Sequence, residues 1–312
     1  MANPETRQLD DIISSRRAMM AMGGAALAGL ALTGVSHAQA ALTDNDILNF
    51  ALNLEYLEAQ FYSLAAFGVT IDKQPTPIPV AVNGGTAGTV TVKSGPKVPF
   101  VNPVFADYAT ETAIEEGKHV TFLQGALGKN AVSMPDINLL DSFNTLASAA
   151  GVGPAFDPFA NDANFLIGAY IFEDVGVTAY SGAAGSISSK DILSAAAGIQ
   201  AVEAYHAGLI RTSINQLDAG TDALNSLTRK ISAVRSMLAN SSGSTTDDIG
   251  ISSVSVSLNG STASTMATTF VDADKNSVAF SRTPTQILQI VTGGSAKNQG
   301  VFFPKGLNGT IK

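Results

Sequence analysis

Apolar residues recur at helical spacing over most of the chain, and capping residues mark where the runs begin. The first predicted helix opens at Thr43-Asp44 and runs to about Phe67, with Gly68 as its stop. The second opens at Asn102-Pro103 and runs to Leu127 before Gly128. A short helix is expected over Asn138–Ala149, a third long one over Asn161–Ala184, and a fourth from Ser189 to about Leu217. A fifth, Asp222–Leu238, puts Leu224, Leu227, Ile231, Val234 and Leu238 on one stripe and is expected to pack outside the others.

Two regions break this rhythm. Residues 69–100 hold five prolines, with Val80 and Val82, then Val90 and Val92, alternating around Asn83-Gly84-Gly85. That pattern predicts a β-hairpin inserted between the first two helices. From Ser241 the chain turns rich in Ser, Thr and Gly, and Ile251, Val254, Val256 and Leu258, then Thr269, Val271, Val278 and Phe280, suggest short strands. Thr283-Pro284 is expected to cap a short helix over Thr285–Val291. The organisation expected is therefore residues 1–40 as an address, 41–240 as a helical bundle interrupted at 69–100, and 241–312 as a small β-rich extension.

Composition narrows the chemistry. With 312 residues, 45% hydrophobic and 14% charged, the chain can bury a sizeable core. A net charge of −8 argues against nucleic acid or an anionic lipid surface, since both need a basic face to displace counterions. The absence of cysteine excludes disulfides, thiolate nucleophiles and cysteine-held clusters, so any metal must be held by oxygen and imidazole nitrogen. Residues 1–40 read as a secretory signal: Ser15-Arg16-Arg17, an apolar small-residue run from Met19 to Val35, then Ala38-Gln39-Ala40. The run is shorter than the roughly 20 residues that span a bilayer, and the paired arginines look like a twin-arginine signal. Export to the periplasm or beyond is expected, with cleavage after Ala40.

Beyond the signal only two histidines remain, and each follows a glutamate by three residues: Glu116-Gly117-Lys118-His119 and Glu203-Ala204-Tyr205-His206. On a helix such a pair projects from one face, about 60° and about 4.5 Å apart, so carboxylate and imidazole can reach one ion. The first and third long helices carry Glu55…Tyr62 and Glu173…Tyr180, each Glu seven residues before a Tyr, hence on the same face. A Glu within an apolar stripe is costly unless paired, protonated or bound to metal. Any one of these elements alone has a plain structural explanation, a surface ion pair or a buried hydrogen bond. Together they form an internal repeat of a two-helix unit: Glu, then ExxH, twice.

That order resembles the ferritin-like di-iron or di-manganese carboxylate bundle, in which two helices give one Glu each and two give an ExxH. The resemblance covers about Thr43–Leu217. The strings LNLEYLEAQFY at Leu52–Tyr62, IFEDVGVTA at Ile171–Ala179 and FFPKGLNG at Phe302–Gly309 are most similar to exported ferritin-like proteins related to desiccation-associated proteins. It implies a mainly α fold, a ferritin-like four-helix bundle, to which the residue pattern adds the hairpin insertion and the β-rich extension. It also implies metal ligands Glu55, Glu116, His119, Glu173, Glu203 and His206 around two iron or manganese ions, with Glu116 and Glu203 bridging. Tyr62 and Tyr180 would lie beside the site as hydrogen-bond donors or as radical or electron-relay groups. Glu58, 300° from Glu55 along the helix, either competes with it for the inward place or contributes beside it. Glu115 is read as a solvated or supporting acid, and Asp174 either as a group orienting a ligand histidine or as a surface acid.

The function expected is redox chemistry toward O2, peroxide or Fe(II) at a dinuclear non-haem centre, of ferroxidase, oxidase or catalase type. The alternative is a stress- or desiccation-related structural or interaction protein whose metal site is structural or vestigial. The expected partners are metal ions and a small oxidant or Fe(II), with no nucleic acid and no membrane span after cleavage. A homo-oligomer is compatible with the chain, whereas the insertion and residues 241–312 argue against a closed storage cage.

Overall fold

The computed structural model describes residues 42–239, 247–257 and 264–312. The expected signal over residues 1–40 and the expected strand residue Leu258 lie outside the described residues. Five helices stand close to where the residues put them: α1 (Asp44–Phe67), α2 (Pro103–Leu127), α3 (Asp141–Ala149), α4 (Asp162–Ala183) and α5 (Lys190–Asp218). Thr43 and Asp46 close a capping box at the start of α1, and Gly68, at φ 77°, ends it by donating to the Leu64 carbonyl. Asn102, Asn161 and Ser189 cap α2, α4 and α5 through their side chains. The third helix begins three residues later than expected because the Asn138 side chain accepts the N–H groups of Leu140 and Asp141.

The four long helices form the bundle, α1 lying along α2 and α4 along α5, with α1 and α4 also in contact. α1 and α4 are the interior helices: Leu52–Ala66 and Phe165–Thr178 are buried without interruption. This accounts for their nearly all-round apolar sequences. α2 and α5 bury only one face, which carries the ExxH residues. α6 (Ala223–Ala239) packs outside on α4 and α5, as expected. Its first turn is anchored by Asp218, whose carboxylate accepts the N–H groups of Asp222, Leu224 and Asn225.

The insertion departs from expectation. Its Asn83-Gly84 turn forms, both residues having positive φ, but no hairpin follows. The backbone groups on either side of the turn pair with residues 131–138 instead. The Val80 carbonyl accepts from Met134 N–H, Gly88 N–H donates to the Met134 carbonyl, and β1 (Val90–Thr91) runs parallel to β2 (Ile137–Asn138). Gly88 permits this approach, since a Cβ there would meet Asp136 N at 2.2 Å.

In the C-terminal part, β3 (Ser252–Ser257) and β4 (Ser264–Thr269) pair antiparallel, Ser252 opposite Thr269. Val278 and Phe280 form no named strand; Ala273 and Ala279 make a single bridge around a turn held by Asp274. α7 (Pro284–Thr292) starts with a capping box from Thr283 to Gln286. The FFPKGLNG string then returns to the bundle. Phe302 packs on Phe172 and Phe143, and Asn308 exchanges hydrogen bonds with Asn53, two residues before Glu55. The described residues from Thr43 to Lys312 form one compact unit. Among the described residues no helix is long and apolar enough to cross a membrane.

Candidate metal centre

The inner faces of α1, α2, α4 and α5 meet around Glu55, Glu116, His119, Glu173, Glu203 and His206, all buried. They fall into two groups that share a residue. In the first, His119 Nδ1 lies 3.2 Å from Glu55 Oε2, 3.4 Å from Glu116 Oε2 and 3.5 Å from Glu203 Oε1. In the second, His206 Nδ1 lies 3.0 Å from Glu116 Oε1 and 3.5 Å from Glu173 Oε2. Glu116 thus offers one oxygen to each group. A third group joins Glu58 to Glu173 and Glu203, so Glu58 faces the cluster alongside Glu55 rather than instead of it.

The tyrosines are crossed. Tyr62 on α1 donates to Glu173 Oε1 on α4, while Tyr180 on α4 donates to Glu55 Oε1 on α1. Each carboxylate is left with its other oxygen facing the histidines. Glu115, one-third exposed at its side chain, lies 2.8 Å from His206 Nε2. A carboxylate only accepts, so Nε2 donates to Glu115, and Nδ1 is the ring nitrogen turned toward the cluster. Asp174 approaches neither histidine and is not at the surface: it is buried between Arg211 and Arg235. Those arginines were the overlooked residues. The available signal was their place in apolar stripes, Arg211 beside Ile210 and Ile214, and Arg235 beside Val234 and Leu238.

Electrostatically the centre is short of positive charge. Burial pushes the Glu55 carboxyl up to about 7, against the pull of His119. Burial and the neighbouring carboxylates drive Glu58 and Glu203 well above the carboxylate range. Burial raises Glu173 as well, despite the pull of His206. Burial also opposes ionisation of Glu116, but the two imidazoles beside it outweigh that and hold it low. Both histidines are lifted by the carboxylates in spite of their burial, His206 to about 12.

The profile of the ferritin-like domain family matches residues 43–216, from the cap of α1 to the last turn of α5. The chain belongs to the ferritin-like family. It is 31% identical over 278 residues to the desiccation-related protein PCC13-62 of Craterostigma plantagineum, covering 86% of this chain and 83% of that protein. It is 25% identical over 276 residues to the ferritin-like catalase Nec2 of Nesocodon mauritianus, covering 86% and 84%. No solved structure matches the chain.

The residues of this ferritin-like bundle fit a metal. Both oxygens of Glu116 and of Glu203, Glu173 Oε2 and His206 Nδ1 are buried with no aligned hydrogen-bond partner. The short distances to the imidazoles are contacts between atoms converging on common space. Such orphaned groups are costly in a protein interior unless a cation occupies that space. Gly176 keeps the space open, for a Cβ there would stand 2.1 Å from Glu203 Oε2. Carboxylates and imidazoles without sulfur suit iron or manganese.

Proposed function

We propose that the cluster is a dinuclear non-haem centre of iron or manganese, and that the protein is an exported oxidoreductase acting on dioxygen, peroxide or Fe(II). The observation that carries this is the set of orphaned carboxylate oxygens around two buried imidazoles. Similarity to a protein named as a ferritin-like catalase supports redox use of the site. Glu55, Glu116, His119 and Glu203 would hold one ion. Glu116, Glu173 and His206, with Glu58 and Glu203, would hold the other. The metal pair, when bound, supplies one- and two-electron redox chemistry. The chain's own part is positioning. Tyr62 and Tyr180 each hold one oxygen of Glu173 and Glu55 and leave the other for the centre. Glu115 orients His206, and the apolar walls of α1 and α4 exclude water.

Elemental analysis of the processed protein, purified without chelator, tests this beside a Glu116→Ala/Glu203→Ala double variant. About two equivalents of iron or manganese in the wild type, lost in a still-folded variant, is the expected result. A folded wild type that takes up no transition metal even after anaerobic Fe(II) or Mn(II) loading overturns it. The similarity to a desiccation-related protein favours a second reading, a structural metal site in a stress protein. A loaded protein inert toward both dioxygen and peroxide would establish that one. Export rests on residues 1–40. Arg16→Lys/Arg17→Lys is expected to leave the protein unprocessed in the cytoplasm, and N-terminal sequencing of exported material should begin at Ala41.

A further inference from the structure

Two largely apolar hollows lie one behind the other on the way to the carboxylates. The outer one is a groove of about 210 Å³ between α2 and α5, lined by Phe122, Leu123, Ala126, Ile192, Ala195 and Ile199 together with the exposed Asp191. The inner one, about 30 Å³, has Ala51, Leu54 and Ala179 in its wall and reaches Glu55, Glu58 and Glu203. Leu48, Tyr180 and Ala196 line both, so the groove and the inner hollow meet at these side chains. A further cavity of about 50 Å³ continues beyond Leu54 and Glu58, its wall aliphatic and aromatic apart from Glu58 and Arg235.

We infer that this is an entry route and holding place for dioxygen, a small uncharged molecule, and that Leu48, Tyr180 and Ala196 form its threshold. The inference rests on the redox reading of the centre. A water needs about 10–15 Å³ together with two or more polar partners, and apolar cavities without such partners stay dry. The inner cavity has room for a diatomic gas, and its approach is apolar apart from Asp191 in the groove and Arg282, whose guanidinium is held by Asp247 and Asp248. A hydrated cation would have to shed its water against these walls, and they return little of that lost hydration. Peroxide would lose its hydrogen bonds there in the same way. Cations have a different edge available at Glu115, whose half-buried carboxylate touches both solvent and His206. Tyr180 sits on the threshold with its hydroxyl bonded to Glu55, so the route ends at a ligand's own support.

Xenon, a dioxygen-sized apolar probe, tests the route on the full metal-free chain. Under xenon pressure the methyl resonances of Leu48, Leu54 and Ala179 are expected to shift saturably. The shifts at Leu48 and Leu54 are expected to vanish in Ala179→Leu, which fills the inner cavity. In the Fe(II)-loaded protein, Ala179→Leu and the threshold variant Ala196→Leu are expected to slow oxidation by dioxygen at least 10-fold, with Fe(II) stoichiometry and oxidation by peroxide unchanged. Absence of xenon shifts in the wild type overturns the route. So does wild-type oxidation by dioxygen in both folded variants. A wild type that binds xenon but no metal refutes the redox reading of the centre, while the xenon result still decides whether the cavity admits a gas.

Discussion

Glu173 and Asp174 are neighbours on α4, yet they enter two different buried clusters of acids. Glu173 joins Glu55, Glu58, Glu116 and Glu203, five carboxylates with two imidazoles between them. Asp174 joins Asp248 and Asp272 in a group just as tight, all offering oxygens within 4.8 Å of one another. What differs is the counter-charge. Asp174 is bracketed by Arg211 at 3.0 Å and Arg235 at 2.8 Å, and Asp248 by Arg235 at 2.8 Å and Arg282 at 2.9 Å. Both Arg211 and Arg235 also lie over the Tyr170 ring, 5.1 and 4.7 Å from its centre. Asp272 is pushed up to about 8 by burial beside Asp174 and Asp248, so it does not add a full charge. Crowded acids alone therefore do not mark a metal site. Crowded acids without guanidinium partners leave a place that a cation could fill, and here one helix displays both kinds on successive residues.

The comparison can be broken from either side. The largest effect is expected from Arg235→Met, which strands Asp174 and Asp248 in the interior. Losing one partner of a buried pair costs about 3–5 kcal/mol, and urea unfolding should show that loss equally with and without metal. Next is metal itself. Mn(II) at 100 times its dissociation constant should stabilise the protein by about 2.7 kcal/mol per bound ion, reversibly by chelator. Thermal unfolding should find that increment intact in Arg235→Met and absent in Glu116→Gln; an equal increment in Glu116→Gln would refute the division of labour. Smaller, and opposite in sign, is Glu203→Gln in the metal-free state. Removing one uncompensated carboxyl should raise stability on the order of 1 kcal/mol while abolishing metal uptake.

The smallest effect sharpens the contrast through pH. Glu55, raised to about 7 in the folded metal-free protein, holds a proton that the unfolded chain releases near the ordinary carboxylate value. Stability is therefore lost as pH rises from about 5 to about 7, and the raised histidines act with the same sign. Asp174 is the reverse: the arginines overcome its burial and hold it low, so its contribution is present above the ordinary value and disappears as pH falls below it. Melting temperatures of the metal-free protein should rise on acidification from pH 7 to 5 and fall again below 4. Glu55→Gln should make the first limb shallower, with Glu58, Glu173 and Glu203 still contributing to it, and leave the second.

How much of this was legible follows from range. Thr43, Asn102, Asn161 and Ser189 announce their helices because capping is a matter of two or three residues. The ExxH pairs and the Glu–Tyr heptads were legible for the same reason, a helix converting short spacings into a shared face. Partners far apart in the chain were not. The heptad places Tyr62 on the face of Glu55 but cannot say that it serves Glu173, 111 residues away. The arginines that claim Asp174 lie 37 and 61 residues beyond it. Val80 and Val90 flank a good turn, yet their backbone groups are taken by residues 131–138, which no local pattern discloses. The string at Phe302–Gly309 was informative as a resemblance, while its packing on Phe172 and its clasp on Asn53 needed the fold.

The crossed tyrosines give the centre a property of symmetric dimers. In an isologous contact residue i of one copy serves residue j of the other and the reverse holds at once. Here the first half of the repeat lends its hydroxyl to the second half's carboxylate and borrows one back. Neither half completes its own support. A rotation or slide between the halves that strains one tyrosine bond must strain the other equally, so the two sides of the centre tighten and loosen as a single mechanical unit.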